Sequence, residues 1–384
     1  MITIRPDSRV YELLSILAYV GEFPMRSVQL LGSAGSWTKL ISKLSQKQEF
    51  RIEGLDTTIS CRMLTISGSG PLRSVRLYKG ALPILNLMLP GAYAYYMMRY
   101  GNKNRSGKII EIDRKHRVAE TVAMCKRCNI ETRPYELPLL QNKSNKVVVP
   151  YAPSFYSGRD LKAIEPDGIN RTKFSRMTGA VFYKGGCYAM YNARDAVMNW
   201  NGKGETKVKL YMSQVARMNA GIGEVESAVL LGTTYDLGVR IMESQESLKD
   251  DKDSIDKLYS HIHFIPMNEF GERLLKILTV PDWNETLLDL LFESEDRTYN
   301  LAKIEADAIE NDVYMYSFLD SDLSRLLRFR RGLRSQKIDK YEILCFEEQS
   351  EFLQALFGEE VPVRTIDLDS VEEMMRSEWS DADE

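Results

Sequence analysis

The sequence predicts a mixed α/β chain with a small basic head and a larger acidic body, and three observations carry that expectation. Residues 8–66 pass from runs of helical period to short β-rich runs. From about residue 178, apolar β runs alternate with amphipathic helical ones, the pattern of an α/β layer with a largely parallel sheet. The charge divides along the same line. Residues 1–150 hold 23 lysines and arginines against 11 aspartates and glutamates, and the remainder holds 28 against 43. The formal net charge of −3 conceals this split. Only the front of the chain is suited to a polyanion.

With 44% hydrophobic and 27% charged residues, the 384-residue chain has the balance of a globular protein, which excludes disordered, collagen-like and mucin-like readings. Cysteines 61, 125, 128, 187 and 345 form no even framework. The opening Met1-Ile2-Thr3-Ile4-Arg5-Pro6-Asp7 has no signal-peptide pattern, so a reduced, cytoplasmic location is expected. Ala81–Met98 lacks formal charge, but Pro83, Asn86, Pro90 and Gly91 interrupt it. A spanning helix wants about 20 mostly apolar residues, so a buried segment is expected and no membrane contact.

Ser8–Val20 has apolar residues at 10, 13, 14, 17 and 20, a helical period with Ser8 as N-cap. A short second helix follows over Met25–Leu31, and a third over Ser36–Gln46. Then come β runs at Phe50–Ile52 and Thr58–Ile66, separated by Gly54-Leu55-Asp56. Three short helices and a hairpin in this order predict a winged helix-turn-helix. In that motif the N-terminal side chains of the third helix reach base edges in the major groove. Here they are Ser36, Trp37, Thr38 and Lys39, with Lys43 on the same outer side. Arg51 and Arg62 are candidates to hold the wing against phosphates. The competing reading is a head that docks onto protein.

Residues 99–117 form a basic connector in which Glu111 and Asp113 oppose seven lysines and arginines. Arg105, Arg114 and Lys115 are the candidates there for a second phosphate contact, with a solvated surface as the alternative. Arg114–Ile130 is expected to be an amphipathic helix. Cys125-Lys126-Arg127-Cys128 is a lone CxxC with His116 on the same helix, short of the four ligands of structural zinc. Four segments are expected: a winged-helix domain over 1–78, the connector over 79–150, an α/β domain over 151–300, and an α/β extension with an acidic tail over 301–384.

In the body, Gly179–Tyr183 and Cys187–Tyr191 predict a hairpin, and Ala196–Trp200 a third strand before a helix at Glu205–Met218. Strand–helix pairs then follow at 227–231 and 235–244, 261–265 and 270–278, 313–319 and 323–331, 341–346 and 349–357, and 361–366 and 371–375. Three strands, a helix and another strand form the order of restriction-endonuclease-like folds. There, carboxylates on the second and third strands bind Mg²⁺, and the metal activates water with a lysine assisting. Asp195, Glu205 and Lys207 are the catalytic candidates on that reading. Glu205 and Lys207 fall on the helix, however, and the expected third-strand positions hold the amides Asn199 and Asn201, weak ligands for a hard cation. His261 and His263 share a strand face but are two ligands only. Asp320 and Asp322, at a strand end, are a candidate metal or partner site, or else a helix cap. Tyr93-Ala94-Tyr95-Tyr96 is a clustered tyrosine candidate without a metal clamp, and no GxxxxGK[ST] phosphate loop is present.

The winged head, the helix RKHRVAETVAMCKRCNIET (114–132) and the hairpin GAVFYKGGCYAMYNARDAVMNW (179–200) together resemble the replication-relaxation family of winged-helix proteins, carried by plasmids and conjugative elements of Gram-positive bacteria. The resemblance covers roughly residues 8–245. It implies DNA binding in plasmid replication, or relaxation of DNA for conjugative transfer, and a restriction-endonuclease-like second domain. Asn199 and Asn201 depart from the family's acidic pair, which favours a domain that binds or organises DNA. The last part, 301–384, looks Rossmann-like. The expected partners are double-stranded DNA, a second copy of the chain, and a protein on the acidic C-terminal region. No cofactor is expected, with Mg²⁺ entering only if the chain is a metal-dependent endonuclease or relaxase.

Overall fold

The structure is a computed structural model that describes residues 1–55, 57–101, 108–132, 152–162, 176–198, 200, 203–248, 254–299 and 302–381. It is mixed α/β and divides into two compact units. The first comprises 1–145 with 155–164, and the second 146–154 with 165–384.

In the first unit, α1 (Arg9–Val20) starts where Ser8 caps it, its side chain accepting from Tyr11 N at 3.3 Å. It ends at Gly21, whose φ of 79° suits glycine and whose missing side chain admits the Tyr100 ring. A strand, β2 (Glu22–Pro24), intervenes before Met25–Leu31, which is 3₁₀ rather than α-helical, with Ser27 outside helical angles. α2 spans Ala34–Leu44.

The predicted β run over 58–66 is two strands in two sheets. β3 (Gln48–Ile52) pairs antiparallel with β4 (Thr58–Cys61) and parallel with β1 (Ile2–Ile4). β5 (Leu64–Ser67) pairs instead with β6 (Ser74–Leu77), which also pairs with β2, giving the order β2-β6-β5. Met63 and Leu64 are the reason. Both are fully buried, and two successive inward residues cannot lie on one face of a continuous strand.

The apolar stretch 81–98 folds as α3 (Leu82–Met88) and α4 (Pro90–Tyr96), broken at Leu89 because the residue before a proline avoids helical angles. Among the described residues no helix is long and apolar enough to cross a membrane. α5 (Ile109–Arg127) starts five residues ahead of the predicted helix and buries His116, Glu120 and Cys125. β7 (Ser154–Ser157) and α6 (Gly158–Lys162) follow. The fully buried Asp160 of α6 accepts from Tyr19 Oη at 3.1 Å, Tyr95 Oη at 2.9 Å, Arg99 at 2.8 Å and Ser157 Oγ at 2.7 Å.

In the second unit, β8 (Met177–Tyr183) and β9 (Gly186–Arg194) form the expected hairpin. The expected strand at 196–200 is not seen among its described residues, 196–198 and 200: β9 runs to Arg194, and a left-handed residue there (φ 53°) turns the chain. After α7 (Lys203–Ala220), β10 (Ser227–Gly232) pairs parallel with both β9 and β11 (His261–Pro266). α8 (Tyr235–Glu246) and α9 (Ile255–Leu258) join these two strands. α10 (Glu269–Leu278) and α11 (Trp283–Leu291) lead to a second sheet. Its order is β12 (Ala308–Glu310), β13 (Val313–Ser317), β14 (Tyr341–Phe346), β15 (Val363–Ile366), with the last three parallel. α12 (Leu323–Gln336) and α13 (Glu347–Phe357) are its crossovers, and α14 (Leu368–Asp381) closes the chain.

The turn after β13 joins the two sheets. Phe264 N donates to Ser321 O at 2.9 Å, and the buried Gln349 amide donates to Phe318 O at 3.0 Å and to Ser321 Oγ at 2.8 Å. Gly271 lets α10 approach β11, since a Cβ there would lie 1.8 Å from the Pro266 carbonyl oxygen. Gly271→Ala is therefore expected to cost about 3 kcal/mol in denaturant unfolding, the range of overpacked cores. Gly204→Ala, on α7 with nothing near its Cβ, is expected to leave stability unchanged or raise it slightly.

Candidate functional site

The candidate residues gather in two places, one in each unit. In the first, Ser36, Thr38, Lys39 and Lys43 are exposed on α2. Trp37 is not. It is 2% exposed, because it shares the inner stripe of α2 with Ile41 and Leu44, three or four residues apart. Its expected contact with a base edge is corrected to a core role, and the missing side chain of Gly32 makes room for its indole.

The other cations of the head and connector divide. Arg51 is exposed on β3. Arg62 lays its guanidinium over the Tyr78 ring at 3.8 Å. Lys115 pairs with Glu22 at 3.5 Å and Arg117 with Asp113 at 2.9 Å. Arg114 is half-buried, and burial with the nearby Arg159 charge lowers its pKa. Arg105 lies outside the described residues. Sequence reasoning passed over Arg73, exposed in the loop between β5 and β6.

The three catalytic candidates of the second unit differ in setting. Asp195 is exposed, accepting from the Thr233 hydroxyl. Glu205 is buried and accepts from Tyr191 Oη at 3.1 Å. Lys207 is exposed on α7. Residues two apart on a helix point in nearly opposite directions, so Glu205 and Lys207 do not face one reacting atom. Asn199 and Asn201 lie outside the described residues. In the first unit, the CxxC gains no third ligand among the described residues, and Tyr95 of the tyrosine cluster serves Asp160.

What the structure brings together is the pair of motifs that each fell short in sequence. His261 and His263 on β11 meet Asp320 and Asp322 in the turn after β13. Asp322 is fully buried. Its Oδ1 accepts from Ile262 N at 3.0 Å, Ser324 N at 2.9 Å and Arg325 N at 3.1 Å, which makes it the N-cap of α12. Its Oδ2 accepts from His261 Nδ1 at 2.7 Å. His263 Nδ1 donates to the Asp320 carbonyl at 3.0 Å. Asp320 Oδ1 accepts from Asp322 N at 3.0 Å.

His261, His263 and Asp320 edge a cavity of about 560 Å³, also lined by Tyr188, Trp283, Arg297 and Glu305. Arg325 reaches Glu305 through Nε at 3.0 Å and Asp307 through Nη2, while Arg328 Nε reaches Glu305 at 2.8 Å. Burial, reinforced by the Asp322 charge, pushes the Asp320 carboxyl up. Burial acts the same way on Asp322, but its bond from His261 and the nearby His263, His261 and Arg325 charges hold it down. Burial pushes His263 down to about 4. For His261 burial is outweighed by the bond to Asp322, and its pKa rises.

Compared with protein-family models, curated proteins and solved structures, the chain matches none. The site is therefore read from its own geometry. Asp322→Ala removes four hydrogen bonds and uncaps α12, so a loss of about 3 kcal/mol is expected in denaturant unfolding. Asp195→Ala is expected to stay within about 0.5 kcal/mol of the parent chain, as exposed substitutions do. Equal effects of the two substitutions would contradict the assigned roles.

Proposed function

We propose that the chain is a DNA-binding protein whose first 78 residues act as a winged helix on double-stranded DNA. The observation that carries this reading is the outer face of α2, where Ser36, Thr38, Lys39 and Lys43 all face solvent. α2 follows α1, β2 and a 3₁₀ turn, and β2 lies antiparallel beside the β5–β6 hairpin. In a winged helix this order makes α2 the helix that enters the major groove. The 68–73 loop then takes the place of the wing, with Arg73 as its cation, rather than the 53–57 turn between Arg51 and Arg62. The β3–β4 hairpin is an insertion, held by β1.

On this reading Lys39, Lys43 and Arg73 meet phosphates, while Ser36 and Thr38 reach base edges. The setting proposed is a mobile genetic element, in plasmid replication, DNA relaxation or conjugative transfer, in the cytoplasm. Winged helices commonly read paired half-sites, so a homodimer is proposed. The acidic body, an α/β unit with two sheets, serves assembly and a protein partner. Cleavage is not part of the proposal, because Asp195, Glu205 and Lys207 do not face one centre.

Fluorescence-anisotropy titration of labelled duplex at several salt concentrations tests this. Binding is expected to weaken steeply with salt through counterion release. Lys39→Glu/Lys43→Glu should weaken it at least tenfold and flatten the logarithmic salt slope by about 2. Absence of salt-sensitive binding in the unmodified chain would overturn the reading in favour of a protein-docking head. Supercoiled plasmid with Mg²⁺ in the same samples is expected to remain unnicked.

A further inference from the structure

We propose that His263, Asp320 and Asp322 form a binding site for a divalent first-row transition ion of the Zn²⁺ type. A ring nitrogen of His263 and one carboxylate oxygen from each aspartate lie within 4.8 Å of one another, and all three residues are buried. Metal bonds of about 2.0–2.2 Å require these atoms to close by roughly an ångström. Two of the three residues, His263 and Asp320, line the cavity. Three protein ligands beside open space is the arrangement that leaves a coordination position for water or a ligand.

The neighbouring ion pairs occupy the arginines of the cavity wall. Glu305 and Asp307 are matched by Arg325 and Arg328, two negative groups against two positive. Arg325 comes no closer to the Asp320 carboxylate than 3.8 Å. Asp322 is faced by His261 at 2.7 Å, and Asp320 by His263 and Arg325, each at 3.8 Å. Two buried aspartates beside an imidazole nitrogen are a donor set that suits a dication.

The lone pairs are there. Oδ1 of Asp322 is taken by three N–H groups, but Oδ2 accepts one bond, from His261, and a carboxylate oxygen offers two lone pairs. His261 thus takes the part of an outer partner that fixes a ligating carboxylate. Mixed nitrogen and oxygen donors favour Zn²⁺, Fe²⁺, Co²⁺ or Mn²⁺ over Ca²⁺ and Mg²⁺.

The test uses the full chain, stripped with EDTA and titrated with Co²⁺ and then Zn²⁺. The visible Co²⁺ absorption and the thermal midpoint are the readouts. The expected result is one equivalent of Co²⁺ bound, displaced by Zn²⁺, with a raised midpoint. His263→Asn and Asp320→Asn, each checked for folding by circular dichroism, should bind at least tenfold more weakly. His261→Asn should weaken binding by about 10- to 100-fold while leaving the ligands in place. The chain has three histidines, 116, 261 and 263, so paramagnetically shifted imidazole signals can be assigned even if a variant does not fold. No Co²⁺ uptake by the parent chain would overturn the proposal. Equal uptake by folded His263→Asn and Asp320→Asn, or shifted signals that exclude His263, would overturn it too.

Discussion

The second unit depends on one buried carboxylate. Asp322 accepts a backbone N–H from β11, two from the start of α12, and the His261 side chain. An ionised carboxylate without partners in the interior would cost far more than a domain's net stability. With four charge-assisted bonds it instead fixes the register between the two sheets, seen in the bridge between His263 and Asp322. Ser321, left-handed at φ 52°, turns the chain so that its neighbour can do this. Arg325, one turn into the helix that Asp322 caps, thereby lies among Glu305, Asp307 and Asp320. The cavity wall is a consequence of the cap.

The first unit solves a similar problem with Asp160, surrounded by two tyrosine hydroxyls, a serine hydroxyl and Arg99. This qualifies the basic excess of the head. Arg99 and Lys115 satisfy internal carboxylates, and the cations of α2 do not appear among those internal pairs. Total charge overstates what a polyanion meets, because a cation already paired in the interior contributes little outward field.

Local pattern made most elements legible. α1 with its Ser8 cap, the β8–β9 hairpin and the strand–helix alternation from 227 onward all follow from periodicity and turn residues that act within a few positions. The failures have physical causes. The β4–β5 split depended on both Met63 and Leu64 being buried, which breaks strand alternation and which hydropathy alone does not place in two sheets. The third strand expected at 196–200 rests on an apolar run, but the left-handed Arg194 turns the chain out of β9 before it. Both halves of the candidate site, His261-Ile262-His263 and Asp320-Ser321-Asp322, were visible as motifs. That they meet is a property of sheet order, and nothing local carries it across the intervening 57–61 positions.

Asp160 also sets a time order for synthesis. Its partners Tyr19 and Tyr95 precede it by 141 and 65 positions. A nascent chain therefore exposes the whole sequence of the head before the residue that locks α1 to α4 has left the ribosome. Until then the two tyrosine hydroxyls and Arg99 have water in place of their carboxylate, and the head lacks that buried anchor. A transcript truncated after the head would yield a looser domain than the same residues adopt in the finished protein.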